Sequence, residues 1–120
     1  MELSAQMLAY LGDAVFELYV RKHLLNQGIR GSGRLHEAVV AYTSASGQSA
    51  CLSRIEPLLS EEEHHIIRRG RNGTLSKKPR NESLALQRRA SALETLFGYL
   101  YLHKKDKRID TLMHVALEIA

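Results

Sequence analysis

Two stretches decide the fold: LSAQMLAYLGDAVF, residues 3–16, and ASALETLFGYLYL, residues 90–102. Both lack proline and carry Leu and Ala at helical spacing. Each has a glycine inside the helical pattern, Gly12 and Gly98. A glycine in a helix interior costs about 1 kcal/mol relative to alanine, so its presence there needs a packing or functional reason. Removing a Cβ lets another backbone lie close by. Each stretch also holds a single charged residue, Asp13 beside Gly12 and Glu94 one turn before Gly98. Two notched helices crossing near their glycines are expected to bring these carboxylates together.

Outward from these stretches the pattern stays helical. The chain has 120 residues and only two prolines, Pro57 and Pro79, and no segment alternates with period two. The expectation is an all-α single domain over residues 1–120, with about five helices or more. A first helix is expected from about Ser4 to Leu25, with Met7, Leu11, Val15 and Leu18 on its apolar stripe, widened by Leu8 and Tyr19. It stops at Asn26-Gln27-Gly28. A second helix is expected over roughly Leu35 to Arg54, with Leu35, Val39, Ala50 and Leu52 as apolar points. Ser60 and Glu63 have capping-box spacing and open a third helix running to about Arg69. Gly70 to Asn81 (GRNGTLSKKPRN) reads as a basic loop. A long helix follows from about Glu82 to His103, and a last one from about Asp106 to the end, with Leu112, Val115 and Ile119 as its stripe.

Hydrophobic residues make up 44% and charged residues 25%, which excludes a disordered or low-complexity chain. No apolar run nears the roughly 20 residues a membrane helix needs. The single cysteine, Cys51, cannot form an internal disulfide, and MELSAQML does not resemble a secretory signal, so a cytoplasmic protein is expected. The net charge of +4 is unevenly spread: residues 68–89 carry +7 and the rest −3. Such clustering is the footprint of a polyanionic partner, although a solvated basic loop would have the same composition.

Two carboxylates close together in an apolar setting repel unless one protonates or a cation joins them. Mg²⁺ takes oxygen ligands and is commonly held by one or two carboxylates, waters and substrate phosphate. A carboxylate pair beside a basic surface therefore suits phosphodiester hydrolysis. The plain alternative is that Asp13 and Glu94 form salt bridges with Arg88 or Arg89. Asp13 shares its side of the helix with Gln6 and Glu17, and Glu17 is spaced to pair with Arg21.

LAYLGDAVFELYVRKHLL, residues 8–25, resembles the ribonuclease III signature, and ALETLFGYLYL, residues 92–102, is similar to that family's second catalytic segment. LHEAVVAYTSASGQSACL, residues 35–52, and IIRRGRN, residues 66–72, look like the short branch called Mini-ribonuclease III. The resemblance covers nearly the whole chain. It implies the helical bundle of the ribonuclease III endonuclease domain, a homodimer, and Mg²⁺-dependent cleavage of double-stranded RNA. It implies Asp13 and Glu94 as catalytic metal ligands and, in this branch, maturation of the 23S ribosomal RNA precursor. Where longer members carry further acids, this chain has Gln6, Ala9 and Ser91. No appended double-stranded-RNA-binding domain is expected. RNA contact is therefore assigned to Arg69, Arg71, Asn72, Lys77, Lys78 and Arg80, which would grip phosphates without reading sequence.

Other chemistries find little support. His64 and His65 are adjacent on a helix and diverge, so they do not share an ion. Cys51 reads as a small buried residue. GxxxxGK and GxSxG motifs are absent, and aromatics are 6% without tryptophan, too few for a single-strand stacking platform. Two rivals remain: a catalytically inert duplex-RNA-binding dimer of the same fold, and a helix-turn-helix DNA-binding dimer, for which no recognition-helix turn stands out.

Overall fold

The computed structural model describes residues 3–73 and 83–119. These form α1 (Ala5–Asn26), α2 (Ser32–Thr43), α3 (Ala45–Ile55), a 3₁₀ turn (Glu56–Leu58), α4 (Glu61–Asn72), α5 (Leu84–Leu102) and α6 (Asp106–Ala116). The protein is all-α, as its sequence implies. Four helices start on a serine whose hydroxyl accepts a backbone N–H: Ser4 from Met7, Ser44 from Gly47, Ser60 from Glu63 and Ser83 from Leu86. At Ser60 the Glu63 carboxylate returns to the Ser60 N–H at 2.9 Å and completes the capping box.

The central helix is α5. It packs chiefly on α1 and α4, with α3 and α6 closing the remaining sides. A helix surrounded in this way must be apolar nearly all round. Accordingly, Leu93, Leu96, Phe97 and Leu100 are buried. The Phe97 ring stacks on Phe16 of α1 with centroids 6.2 Å apart. Small residues set the distances on the other faces. A Cβ built on Gly12 would lie 1.6 Å from the Glu94 carbonyl oxygen, and one on Gly98 would lie 1.9 Å from the Leu8 carbonyl oxygen. On α4, a Cβ on Gly70 would meet Thr95 Oγ1 at 2.6 Å.

The structure corrects several expectations. The helix expected over Leu35 to Arg54 is two helices, broken where Ser44 turns extended (ψ 160°). The corner is tight: a Cβ on Gly47 would lie 2.2 Å from the Ala41 carbonyl oxygen. Ala50 is exposed, whereas Leu52 is buried and Leu35 and Val39 are half-buried. Of the expected α1 stripe, Leu8 and Val15 are buried and Leu11 and Tyr19 half-buried, but Met7 and Leu18 are 58% and 66% exposed, and Gly12, Phe16, Val20 and Leu24 complete the buried face. Contact through Gly12 sets this phase, and a stripe read from large side chains gives a glycine no weight. Gly70, Arg71 and Asn72 belong to the last turn of α4 rather than to a loop, because Gly70 fits α4 against α5.

Candidate active site

The N-terminal half of α1, the α2–α3 corner, the end of α4 and the middle of α5 enclose a groove of about 870 Å³. Asp13 and Glu94 both line it, and among its described lining residues they are the only acids. Their helices are held backbone to backbone at Gly12 and Gly98, so the position of one acid relative to the other follows from packing. Asp13 is exposed and Glu94 half-buried. Gln6, Ala9 and Ser91, the neutral residues singled out in the sequence, line the same groove.

Glu94 Oε2 accepts a hydrogen bond from Gln48 Nε2 at 3.2 Å. Gln48 is a residue the sequence reading missed. Its signal was a long amide in a run of small residues, Ala45-Ser46-Gly47 before it and Ser49-Ala50 after it. Thr95, fully buried, donates to the Ser91 carbonyl at 2.7 Å and lies 3.3 Å from the Ala5 carbonyl, which fastens the start of α1 to α5.

The arginines considered as salt-bridge partners tie α5 to its neighbours. Arg88 donates to the carbonyls of Arg71 (2.9 Å) and Gly73 (3.0 Å) and holds the end of α4. Arg89 pairs with Glu56 at 2.9 Å and donates to Ser49 and Ser53 of α3. Glu17 pairs with Arg21 at 2.6 Å, as its spacing implies.

Of the residues assigned to RNA contact, Arg71 and Asn72 are exposed on the last turn of α4, between Gly70 and Gly73, which line the groove. Arg69 is half-buried and donates to the Leu3 carbonyl at 3.1 Å. Lys77, Lys78 and Arg80 lie outside the described residues. Neither histidine of the His64–His65 pair joins a cluster of three metal-binding side chains, and no such cluster occurs among the described residues.

Carboxylate, amide and hydroxyl oxygens dominate the donors at this groove, with no thiol or imidazole among the described lining residues. That set fits a hard divalent cation completed by water and phosphate, and does not fit a zinc site of nitrogen and sulfur ligands.

Comparison with known proteins agrees with this architecture. The Ribonuclease III domain family matches residues 6–105. Mini-ribonuclease 3 of Thermoanaerobacter sp. strain X514 is 36% identical over 119 residues, which are 99% of this chain and 84% of the relative. Mini-ribonuclease 3 of Brevibacillus brevis strain 47 is 39% identical over 113 residues, 94% of this chain and 84% of the relative. The crystal structure of a Fusobacterium nucleatum protein superposes with a TM-score of 0.86 at 32% identity, covering 98% of this chain and 93% of that one. The match in sequence and in fold spans nearly every helix, and the chain belongs to the ribonuclease III family of endoribonucleases, in its Mini-ribonuclease 3 branch.

Proposed function

We propose that this chain is one catalytic domain that cleaves double-stranded RNA with Mg²⁺, as a homodimer, and matures a ribosomal RNA precursor in the cytoplasm. One observation carries the reading. Asp13 and Glu94 come from two helices locked together at glycines and line one groove, whose edge is the basic end of α4.

Asp13 and Glu94 would hold the cation. When bound, such an ion offsets charge developing on a phosphate and lowers the pKa of a coordinated water. Arg71 and Asn72 would contact the RNA backbone and fix its register against the groove. Phosphate contact of this kind suits A-form RNA, which proteins recognise largely by shape. The basic residues Lys77, Lys78 and Arg80 come a few positions later in the sequence and would extend that contact.

The homodimer is supported by the outer face of α1. Leu18 and Leu25 are 66% and 47% exposed and lie about two turns apart on one side of the helix. An apolar stripe of this kind on an otherwise charged surface marks an interaction face. Two-fold pairing would present two grooves to the two strands of one duplex. The single cysteine is buried and unbridged, consistent with a reducing compartment. Among the described residues no helix is long and apolar enough to cross a membrane.

The direct test is to incubate the purified protein with a stem from a 23S ribosomal RNA precursor, with Mg²⁺ or with chelator. The expected result is cleavage of both strands in Mg²⁺ only, with single-stranded RNA and duplex DNA left intact. Stem RNA intact in both tubes contradicts the proposal.

A further inference from the structure

We infer that Gln48 is a positioning residue for Glu94: its buried amide holds the Glu94 carboxylate in the orientation that receives a divalent cation. The inference rests on the metal reading of the groove given above.

Gln48 is 3% exposed. Burying a side-chain amide is costly unless it is hydrogen-bonded. Its neighbours from Ala45 to Ala50 are all small, so bulk alone does not explain a glutamine there. The bond from Nε2 to Glu94 Oε2, at 3.2 Å, gives it a partner across the α3–α5 interface. An ionised carboxylate only accepts hydrogen bonds, so the NH₂ end of the amide must face Glu94.

The backbone that carries Gln48 is fixed on both sides. Ser44 caps the first turn of α3 by accepting the Gly47 N–H at 3.1 Å. Gly47 is pressed against the carbonyls of Ala41 and Tyr42. On the other side Arg89 of α5 grips Ser49, through Nε to Oγ at 2.7 Å and through Nη2 to the carbonyl at 3.2 Å. The helix turn that carries Gln48 is thereby held in place, and burial of its side chain limits where the donor can lie.

Chemistry favours an amide here. An arginine or lysine would neutralise the carboxylate and compete with a cation for it. A neutral donor orients the oxygen and leaves its charge in place. A carboxylate has about four lone-pair sites, and the Gln48 bond occupies one of them. Fixing the rotamer beforehand also removes an ordering cost from metal binding. Partners of this kind are typically worth 10–100-fold in metal affinity.

The test replaces Gln48 with methionine, which keeps length and removes both polar ends. Mn²⁺ uptake is read by electron paramagnetic resonance, beside the thermal midpoint and the Mg²⁺ dependence of duplex cleavage. Gln48→Met is expected to weaken Mn²⁺ binding about tenfold or more. The Mg²⁺ concentration for half-maximal cleavage should rise by a similar factor, while binding of duplex RNA without metal stays unchanged. A purely structural role would lower the melting temperature and leave metal affinity intact, and that result overturns the inference. If Gln48→Met does not fold, Gln48→Asn keeps the amide but withdraws it by one methylene, and the same loss of Mn²⁺ affinity is expected. Parent-like Mn²⁺ binding in a folded variant overturns the role of Gln48 alone. A parent protein that takes up no Mn²⁺ overturns the metal reading as well.

Discussion

Gly12 of α1 and Gly98 of α5 lie in backbone contact, with the missing Cβ of each taken up by a carbonyl of the facing helix. This contact sets the distance between the two acid-bearing helices. Gly12→Ala would force a Cβ to within 1.6 Å of the Glu94 carbonyl oxygen, which only separation of the helices can relieve. The expected cost is at least about 3 kcal/mol, read as a fall of roughly 10 °C in thermal midpoint or as insoluble protein. Gly33→Ala is the control. Gly33 lies in α2 with open space around it, and the substitution should be neutral or stabilise by up to about 1 kcal/mol.

Glu63 gives a pH prediction. Arg108 forks onto it with Nε to Oε2 at 2.8 Å and Nη2 to Oε1 at 2.7 Å. The Arg108 guanidinium holds this carboxyl below its ordinary 4.5, partly opposed by burial and helped by the Ser60 N–H. A depressed native value means the unfolded state takes up the proton first as pH falls. The contribution is therefore complete above about pH 4.5 and disappears as pH falls through the native value. Glu63→Gln should be less stable than the parent by about 2 kcal/mol at pH 7, with the gap narrowing below pH 4 in chemical denaturation. A gap independent of pH contradicts this assignment.

The end of α4 gives a salt-dependence prediction. If Arg71 binds a phosphate, Arg71→Ala lowers duplex-RNA affinity for all sequences alike. It should reduce the slope of log affinity against log salt by about one. Fluorescence anisotropy across a salt series measures it. Arg69 already donates to the Leu3 carbonyl, so Arg69→Ala should cost stability more than it changes that slope.

Leu18 tests the association face. Leu18→Glu places a charge on the exposed apolar stripe without touching the core, so the helix content should be unchanged. Analytical ultracentrifugation should find the variant at the mass of one chain where the parent sediments at twice that mass. A parent that sediments as a single chain refutes the dimer.

Much of this architecture is legible in the sequence because glycine and serine mark it. Ser60 with Glu63 opened α4, and Gly12 and Gly98 announced the α1–α5 contact. The errors have definite physical origins. α1 is apolar on two faces, one turned to α5 and one exposed, so a stripe of large residues that held the buried Leu8 and Val15 also took in the exposed Met7 and Leu18. The α2–α3 break carries no proline. It depends on Ser44 turning extended and Gly47 fitting beneath Ala41, both tertiary effects. Gln48 escaped because its partner is 46 residues away, and only the folded chain brings its amide to Glu94. Asp13 and Glu94 could be singled out because a lone charge in an apolar helix is conspicuous.

The most direct test compares the parent with Asp13→Asn and Glu94→Gln on one duplex RNA substrate in Mg²⁺, with RNA binding measured separately in chelator. Each substitution keeps shape and hydrogen bonding but removes the charge that would hold the ion. Cleavage should fall by about a thousandfold in either variant, with RNA affinity held within a few-fold of the parent. Cleavage at the parental rate by either one would contradict the two-carboxylate centre.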